Sequence, residues 1–194
     1  MISRNKKNRG FTLVETLLAV LILAIAITGP LTIAAKGLQL TLTARDQVMA
    51  GLLAQDALEY IHFIRDTNRL NNQNWLAGLN GTSNSHTTNI TGGQATCTGG
   101  NFCTVDSLAD QVTLCGTSLT QCASTLLYYN ASGGNYTYAT AGNTPTIFSR
   151  SVSVTTPSPG GNVNEADIRV VVQWRDIGGS LRSLELRDAL LNWQ

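Results

Sequence analysis

The sequence predicts an α+β protein in which one long N-terminal helix packs on a C-terminal antiparallel β-sheet. Three observations predict this class. Residues 16–35 carry no charged side chain, residues 37–68 keep apolar side chains at three- and four-residue steps, and the last third alternates apolar and polar residues. The length of 194 residues is enough for one domain and an anchor.

Residues 11–36 are predicted to form a helix of membrane length. Twenty uncharged residues at about 1.5 Å per residue span roughly 30 Å, the thickness of a bilayer's hydrocarbon core. Glu15 lies at the head of this run, where a carboxylate costs up to ~3 kcal/mol at mid-bilayer and less near an end. A nearby positive charge would offset that cost, and cleavage after Gly10 would create one in the new α-amine of Phe11.

The segment Gly10-Phe11-Thr12-Leu13-Val14-Glu15 resembles the processing signal of type IV pilins and of the pseudopilins of type II secretion. The resemblance covers about the first 35 residues. It implies that residues 1–10 are a leader, which a prepilin peptidase removes by cutting after Gly10, and that the same enzyme N-methylates Phe11. It also implies a pilin-like fold in which Glu15 meets the N-terminal amine of a neighbouring subunit.

The same resemblance implies a set of partners. They are the prepilin peptidase and methyltransferase, other pilin or pseudopilin subunits, an inner-membrane assembly platform, and membrane lipid before assembly. Neither a cofactor nor a metal is expected, and nucleic-acid binding is not directly indicated. An ordinary secretory signal is the alternative, since it also has a basic start, an apolar run and a small-x-small site such as Ala24-Ile25-Ala26.

Charge predicts the orientation in the membrane. The leader holds four of the 13 basic residues and none of the 12 acidic ones, so the processed chain has nine basic against twelve acidic residues. Basic residues before an apolar run stay in the cytoplasm by the positive-inside rule. The leader is therefore expected in the cytoplasm and the C-terminal domain outside it, with a single pass through the inner membrane and later residence in a pilus or pseudopilus.

Gly29-Pro30 interrupts the apolar run. A proline removes a backbone hydrogen bond and should kink or loosen the helix there. The resemblance implies a segment that melts when a filament forms. Membrane helices also tolerate glycine and proline more often than soluble ones, so both interpretations stay open.

Residues 37–68 are predicted to form an amphipathic continuation of the helix. Its apolar face comprises Met49, Leu53, Ala57, Tyr60, Ile61 and Ile64. The charged residues lie mostly off that face: Arg45, Asp46, Asp56, Glu59, Arg65 and Asp66. The asparagines from Asn68 onward are expected to end this helix, because asparagine favours turns and helix ends.

Residues 69–194 are expected to form an extracytoplasmic globular domain, of which residues 69–125 are a disulfide-stapled loop region. Four cysteines fall there: Cys97, Cys103, Cys115 and Cys122. An even, clustered set in an exported domain predicts two disulfides. Three connectivities are possible, and local pairing, 97–103 and 115–122, closes the shortest loops. A zinc site is the alternative, although the spacings lack the usual C-x₂₋₄-C pairs.

Residues 126–194 are predicted to form an antiparallel sheet of about four strands with one apolar side. A hairpin is expected around Ser132-Gly133-Gly134, and residues 147–155 alternate in the manner of a strand. Two further strands flank residues 176–180. The amphipathic helix is the natural cover for the apolar side.

The sequence predicts a structural subunit without catalytic residues. It contains neither a phosphate-binding glycine loop nor a G-x-S-x-G elbow, and only two histidines. Asp106 and Asp110, four residues apart, could hold calcium on a loop, but two carboxylates are too few by themselves, because calcium takes six to eight oxygens. The C-terminal end around Trp174 and Trp193 resembles that of minor pilins and minor pseudopilins. The alternatives are an adhesive surface on residues 80–140, a pseudopilin of type II secretion, and a membrane-anchored enzyme.

Overall fold

A computed structural model describes residues 12–84, 97–157 and 164–192. Helix α1 spans Leu13–Leu70, which confirms the predicted long N-terminal helix, and it includes Pro30. The helix begins after Thr12, whose carbonyl oxygen accepts from the N–H of Glu15 at 3.0 Å. It ends before Asn72, which adopts a left-handed φ of 53° that asparagine tolerates better than most residues.

The chain divides into two compact units, residues 1–44 and residues 45–194. In the first unit, every residue from Thr12 to Thr41 is exposed. The second unit, called the head below, contains the rest of α1, the sheet and the core.

The head contains one antiparallel sheet and one short helix. The elements are β1 (Phe102–Asp106), β2 (Gln111–Gly116), α2 (Leu119–Cys122), β3 (Leu126–Asn130), β4 (Asn135–Thr137), β5 (Thr144–Thr155), β6 (Glu165–Arg175) and β7 (Leu181–Leu191). Strand β5 is central. Its residue Ser149 pairs with Leu126 of β3 and with Gln173 of β6, so these neighbours lie on opposite sides. β7 extends the β6 side, whereas the β3–β4 and β1–β2 hairpins share the other side.

The predicted sheet is confirmed, but it has seven strands rather than about four. Residues 126–194, for which about four strands were predicted, form five, and residues 102–116, which the sequence suggested were loops, form the other two as the hairpin of β1 and β2. A short turn joins these strands, and Asp110 has a left-handed φ of 51° there. Each strand has only five or six residues, so pairing of Cys103 with Val152 of β5 supplies contacts that the local sequence does not reveal.

The core lies between one face of the sheet and the second half of α1. The fully or nearly fully buried helix residues are Ala50, Leu53, Ala54, Ala57, Leu58, Tyr60, Ile61 and Ile64. The sheet side contributes Val105, Val112, Leu127, Phe148, Val152, Val154, Ile168, Val170, Val172 and Trp174. Burial of one such large side chain is worth about 1.5–3 kcal/mol, so this layer holds the helix on the sheet.

The charged residues of α1 do not all lie off the buried face. Asp46 is the exception, because it is only 7% exposed. The guanidinium of the exposed Arg45 lies 3.3 Å from a carboxylate oxygen of Asp46 and compensates its burial.

Candidate functional site

Glu15 lies in the first turn of α1, among exposed apolar side chains. Its N–H donates to the Thr12 carbonyl and lies 3.4 Å from the Thr12 hydroxyl, so Thr12 caps the described start of the helix. A carboxylate is favoured at a helix N-terminus because the unpaired N–H groups there carry partial positive charge. Gly10 and Phe11, the predicted processing residues, lie outside the described residues.

The surface of α1 from Leu13 to Leu40 is apolar and uncovered. Fourteen large apolar side chains in this stretch are each more than half exposed: Leu13, Val14, Leu17, Leu18, Val20, Leu21, Ile22, Leu23, Ile25, Ile27, Leu31, Ile33, Leu38 and Leu40. A water-soluble monomer rarely exposes so large a patch, so this surface suits lipid or other apolar helices. Within residues 12–84, 97–157 and 164–192, α1 alone is long and apolar enough to cross a membrane.

Gly29 and Pro30 lie inside this apolar stretch. The proline ring leaves the carbonyl of Ala26 without its usual N–H donor. Two threonine hydroxyls donate to carbonyls near it, from Thr28 to Ile25 at 3.1 Å and from Thr32 to Gly29 at 2.7 Å. The predicted kink at Gly29-Pro30 stays a prediction.

Arg150 fixes α1 to the sheet, and the sequence analysis missed it. Its side chain is 1% exposed and lies on the core side of β5. Nη1 donates to the Leu53 carbonyl and to Oδ2 of Asp56, both at 2.6 Å, and Nη2 donates to the Val105 carbonyl at 2.5 Å. One guanidinium thus joins the helix, β1 and β5. Strict alternation with Phe148 and Val152 was the signal that could have revealed its burial.

Asp106 holds the β1–β2 turn and strand β4 in place. Its Oδ1 accepts from the N–H groups of Leu108 and Ala109, and its Oδ2 accepts from the Thr137 hydroxyl and the Tyr138 N–H, at 2.7–3.1 Å. A carboxylate that accepts four hydrogen bonds from the protein has little lone-pair density left to bind a cation. No group of three or more His, Cys, Asp or Glu residues that could hold a metal occurs in the described part of the chain.

The four cysteines form two local disulfides, Cys97–Cys103 and Cys115–Cys122, with Cα–Cα distances of 5.3 and 5.1 Å. Cys97 and Cys103 are fully buried in the core between α1 and the sheet. The second disulfide ties α2 to β2. Its member Cys122 is 1% exposed.

Strand β7 is joined to the helix by His62. The imidazole Nε2 lies 2.8 Å from Oδ2 of Asp188, and Arg65 donates to the Leu191 carbonyl at 3.1 Å. The hydrogen bond from His62 lowers the pKa of Asp188 below its ordinary value. On the opposite face of β7, hydrogen bonds from Arg169 and Arg187 lower the pKa of Glu185 to about 2.

The family model of the prokaryotic N-terminal methylation motif matches residues 5–29. This motif is the signature of type IV pilins and pseudopilins, and here it covers Glu15 and the first half of the exposed apolar helix. No curated protein and no solved structure matches the chain.

The class of protein follows from the motif and the layout together. The chain carries the type IV pilin and pseudopilin signature, as its sequence predicted, and the long helix followed by an antiparallel sheet is a pilin-like α+β layout. The motif supports a pilin-like or pseudopilin-like subunit, a class that is structural rather than enzymatic. It also implies a prepilin peptidase and other pilin subunits as partners.

Proposed function

We propose that this protein is a minor structural subunit of a type IV pilus or a related pseudopilus. A prepilin peptidase cuts it after Gly10 and methylates Phe11. The apolar half of α1 then anchors it in the inner membrane, with the leader side in the cytoplasm and the head outside. An assembly platform transfers it from lipid into the filament.

One observation carries this proposal: the methylation motif lies on an uncovered apolar helix that has a single carboxylate near its start. The exposed apolar side chains need lipid before assembly and neighbouring helices afterwards. Glu15 is the one charged side chain between Phe11 and Ala35. It is therefore the one side chain of this apolar stretch that could pair with the α-amine of a neighbouring subunit.

The mechanism of assembly is charge pairing followed by packing. The carboxylate of Glu15 pairs with the α-amine of Phe11 in an adjacent subunit, and this pair sets the axial register. Desolvation offsets much of the attraction between buried charges, so the pair contributes specificity more than net stability. The apolar side chains supply the packing energy.

The processing step is tested by the intact mass and N-terminal sequence of protein extracted from membranes. We expect a chain that begins at Phe11 and carries one added methyl group. A chain that begins after Ala26 would identify an ordinary secretory signal. A chain that retains Met1 would identify a signal anchor, and either result would contradict the proposal.

The pairing step predicts that Glu15→Ala still inserts in the membrane but assembles poorly. Removing the carboxylate lowers the cost of burying the helix start in lipid but leaves the neighbour's amine unpaired. The measurement compares the sheared filament fraction with the membrane fraction. Glu15→Asp is the matched control, since it keeps the charge and should retain part of the assembly. Wild-type filament yield from Glu15→Ala would rule out this mechanism.

The minor role is supported by the resemblance of the C-terminal end, and it is tested by stoichiometry. We expect this chain to be much less abundant than another pilin in purified filaments. If it is the most abundant subunit, it is a major pilin and the proposed role is wrong.

A further inference from the structure

The hairpin turn between β6 and β7 presents apolar side chains to solvent. Ile177 is 64% exposed at the turn, and Leu181 and Ile147 beside it are 58% and 48% exposed. We call these three residues the turn patch. Leu181 and Ile147 line one shallow cavity at this end of the sheet, so they lie close together. Exposed apolar side chains that lie together mark a surface that contacts a partner.

Contacts between α1 and the sheet show the direction in which β7 runs along the helix. Pairing through β6 places Leu184 of β7 level with Arg150, and Arg150 donates to the Leu53 carbonyl at 2.6 Å. Further along both elements, Asp188 of β7 lies 2.8 Å from His62. Strand β7 and α1 therefore run in the same direction, and β7 starts near the start of the head.

The turn patch lies at the end of the head where the chain enters it at Arg45. From Leu53 back to Arg45, the helix covers about 12 Å at 1.5 Å per residue. From Leu184 back to Leu181, the strand covers about 10 Å at 3.3 Å per residue, and the turn begins there. The turn is therefore about level with Arg45. We call this end the entry end of the head.

The charged side chains of the entry end present cations to solvent. Three arginines and two aspartates occur in residues 45–49, 144–149 and 173–183. The side chain of Arg45 is 73% exposed, whereas that of its partner Asp46 is 10% exposed. Arg182 is 54% exposed, whereas its partner Asp176 is 14% exposed. The guanidinium groups thus face outward and the carboxylates face inward.

Arg175 is the third cation of the entry end. It is exposed, and its Nη1 donates to a backbone carbonyl of the turn at 3.0 Å. Three arginines against two aspartates give these residues a net charge of +1. Asp56 does not change this balance, because it pairs with the buried Arg150 further along α1. Asp110 is held further along as well, by the hydroxyl of Tyr60.

The entry end is close to the apolar half of α1 along the chain. The uncharged run ends at Ala35, ten residues before Arg45, and ten helical residues span about 15 Å. The headgroup layer on each side of a bilayer is roughly 5–8 Å thick. Anionic lipids attract basic residues within about a Debye length, which is ~8 Å at physiological ionic strength. The entry end is therefore within reach of the headgroups.

We propose that the β6–β7 turn docks on the anionic headgroups of the membrane that holds α1. Ile177 and Leu181 enter the interface, and the guanidinium groups of Arg175 and Arg182 bind lipid phosphates. This contact rests on the membrane anchoring in the proposed function. It is a second, reversible attachment to lipid, and the subunit releases it when it leaves the bilayer for a filament.

Quenching of a fluorophore on the turn tests this contact in the full chain. Ser180→Cys places a thiol on an exposed residue of the turn and keeps Ile177 and the arginines. A maleimide dye labels that thiol alone without reductant, because the four native cysteines form disulfides. The protein is reconstituted in phosphatidylcholine vesicles with or without phosphatidylglycerol, which contain a headgroup-linked quencher. We expect quenching with phosphatidylglycerol, and its loss in 1 M salt or in phosphatidylcholine alone.

Ser83→Cys is the matched control label at the other end of the head. The neighbouring Asn84 donates to the Ala77 carbonyl, which also accepts from Asn68 near the end of α1. Asn68 is 23 residues after Arg45, or roughly 35 Å along the helix. A dye on residue 83 should stay unquenched in both kinds of vesicle.

Two arginine substitutions test the charge component. Arg175→Gln should lower the ratio of docked to undocked turns about fivefold, because it removes one cation near the lipid surface. Arg187→Gln is the matched control and should leave the ratio unchanged, since Arg187 is 72% exposed on β7 but outside the entry end. Ile177→Ser tests the apolar component and should also reduce quenching.

Three outcomes would overturn the contact with lipid. They are equal quenching of the two labels, quenching that ignores phosphatidylglycerol, and quenching that Arg175→Gln leaves unchanged. A dye signal that follows the protein-to-lipid ratio, but not the lipid charge, would assign the turn patch to a second copy and would also overturn it.

The N-terminal mass of the protein extracted for these samples separates the two proposals. A methylated chain that starts at Phe11 and enters filaments, but shows no quenching, overturns the lipid contact alone. A chain that keeps Met1 and still shows the quenching overturns the proposed function alone.

Discussion

At the scale of single residues, Arg150 joins three elements through three hydrogen bonds from its guanidinium. The strand pattern places its side chain between Phe148 and Val152, in an otherwise apolar layer. Its charge is compensated by Asp56, which is itself 42% exposed and therefore remains hydrated. A buried cation paired with a half-exposed anion costs less to desolvate than a fully buried pair.

Replacing Arg150 by alanine should lower the free energy of unfolding by about 3 kcal/mol, because it leaves a cavity and removes donors from two buried carbonyls. Arg150→Met fills most of the volume and should cost about half as much. The measurement is urea unfolding in detergent, followed by fluorescence of the buried Trp75 and Trp174. Arg187→Ala is the exposed control and should change stability by no more than about 0.5 kcal/mol. An equally small effect of Arg150→Ala would refute this role.

The carboxylates of the β6–β7 hairpin should make the free energy of unfolding depend on pH. Two hydrogen bonds from arginines lower the pKa of Glu185 to about 2, and the Arg182 guanidinium lowers that of Asp176. In the unfolded chain the carboxyl groups of Glu185 and Asp176 have pKa values of about 4.3 and 3.9. Between these values and pH 2, the unfolded chain therefore binds more protons than the folded chain does. The stabilisation is therefore present above about pH 4.5 and is lost as the pH falls towards 2.

The measurement is the denaturant midpoint between about pH 5 and pH 2 for the wild type and for Glu185→Gln. We expect the variant's midpoint to fall less steeply, and the difference to shrink in 1 M salt, since these groups are exposed and salt screens them. Parallel curves for the two proteins would show that Glu185 contributes nothing.

At the scale of elements, α2 depends on its disulfide. Four residues are too few for an isolated helix to be stable. The hydroxyl of Ser118 accepts from the Gln121 N–H at 3.4 Å, and the Gln121 side chain accepts from the Thr117 N–H at 2.7 Å. The bond from Cys122 to Cys115 then fixes this turn to β2.

Replacing Cys115 and Cys122 together by alanine should lower the free energy of unfolding by about 2–3 kcal/mol on the loop-entropy model. Amide hydrogens of α2 should then exchange before those of β5 and β6. The measurements are urea unfolding and hydrogen exchange. Exchange in α2 that stays as slow as in the wild type would show that packing alone holds this helix.

The sequence predicted the long elements better than the short ones, for a physical reason. Strand β5 has 12 residues and β6 and β7 have 11 each, so their alternation is visible locally. Strands β1 and β2 are short and lie among Gly, Ser, Thr and Asn, and their stability comes from pairing with β5 and from the bonds that join Asp106 to Thr137 and Tyr138. Such partners are distant in sequence, as are Leu53 and Asp56 from Arg150. The methylation motif could be recognised without any knowledge of tertiary contacts, because it is one continuous stretch of sequence.

At the scale of the whole molecule, the chain contains two units with different surroundings. From residue 12 to Arg45 no side chain is buried, and the first buried residue of α1 is Asp46. All core residues that α1 contributes lie at or after Ala50. The head therefore contains the complete described core, whereas the apolar half of the helix needs lipid or other subunits.

This division predicts that residues 45–194 fold without the apolar half of the helix. The fragment should be water-soluble, because the fourteen large apolar side chains from Leu13 to Leu40 are gone, and it should unfold in urea at the same midpoint as the head of the full chain. A fragment that begins at Asp56 is the comparison. It lacks Ala50, Leu53 and Ala54, which are 0%, 3% and 0% exposed, and it also lacks the Leu53 carbonyl that accepts from Arg150.

Loss of a buried leucine alone costs about 2–5 kcal/mol, a large part of the 5–15 kcal/mol that stabilises a typical domain. The shorter fragment should therefore lose its near-ultraviolet circular dichroism, while the longer one keeps it. If residues 45–194 also lack fixed tertiary structure, the first half of α1 must contribute to the head, and the two units would not be independent. If both fragments fold, the sheet and its disulfides suffice, and the helix stabilises the head less than its buried surface implies.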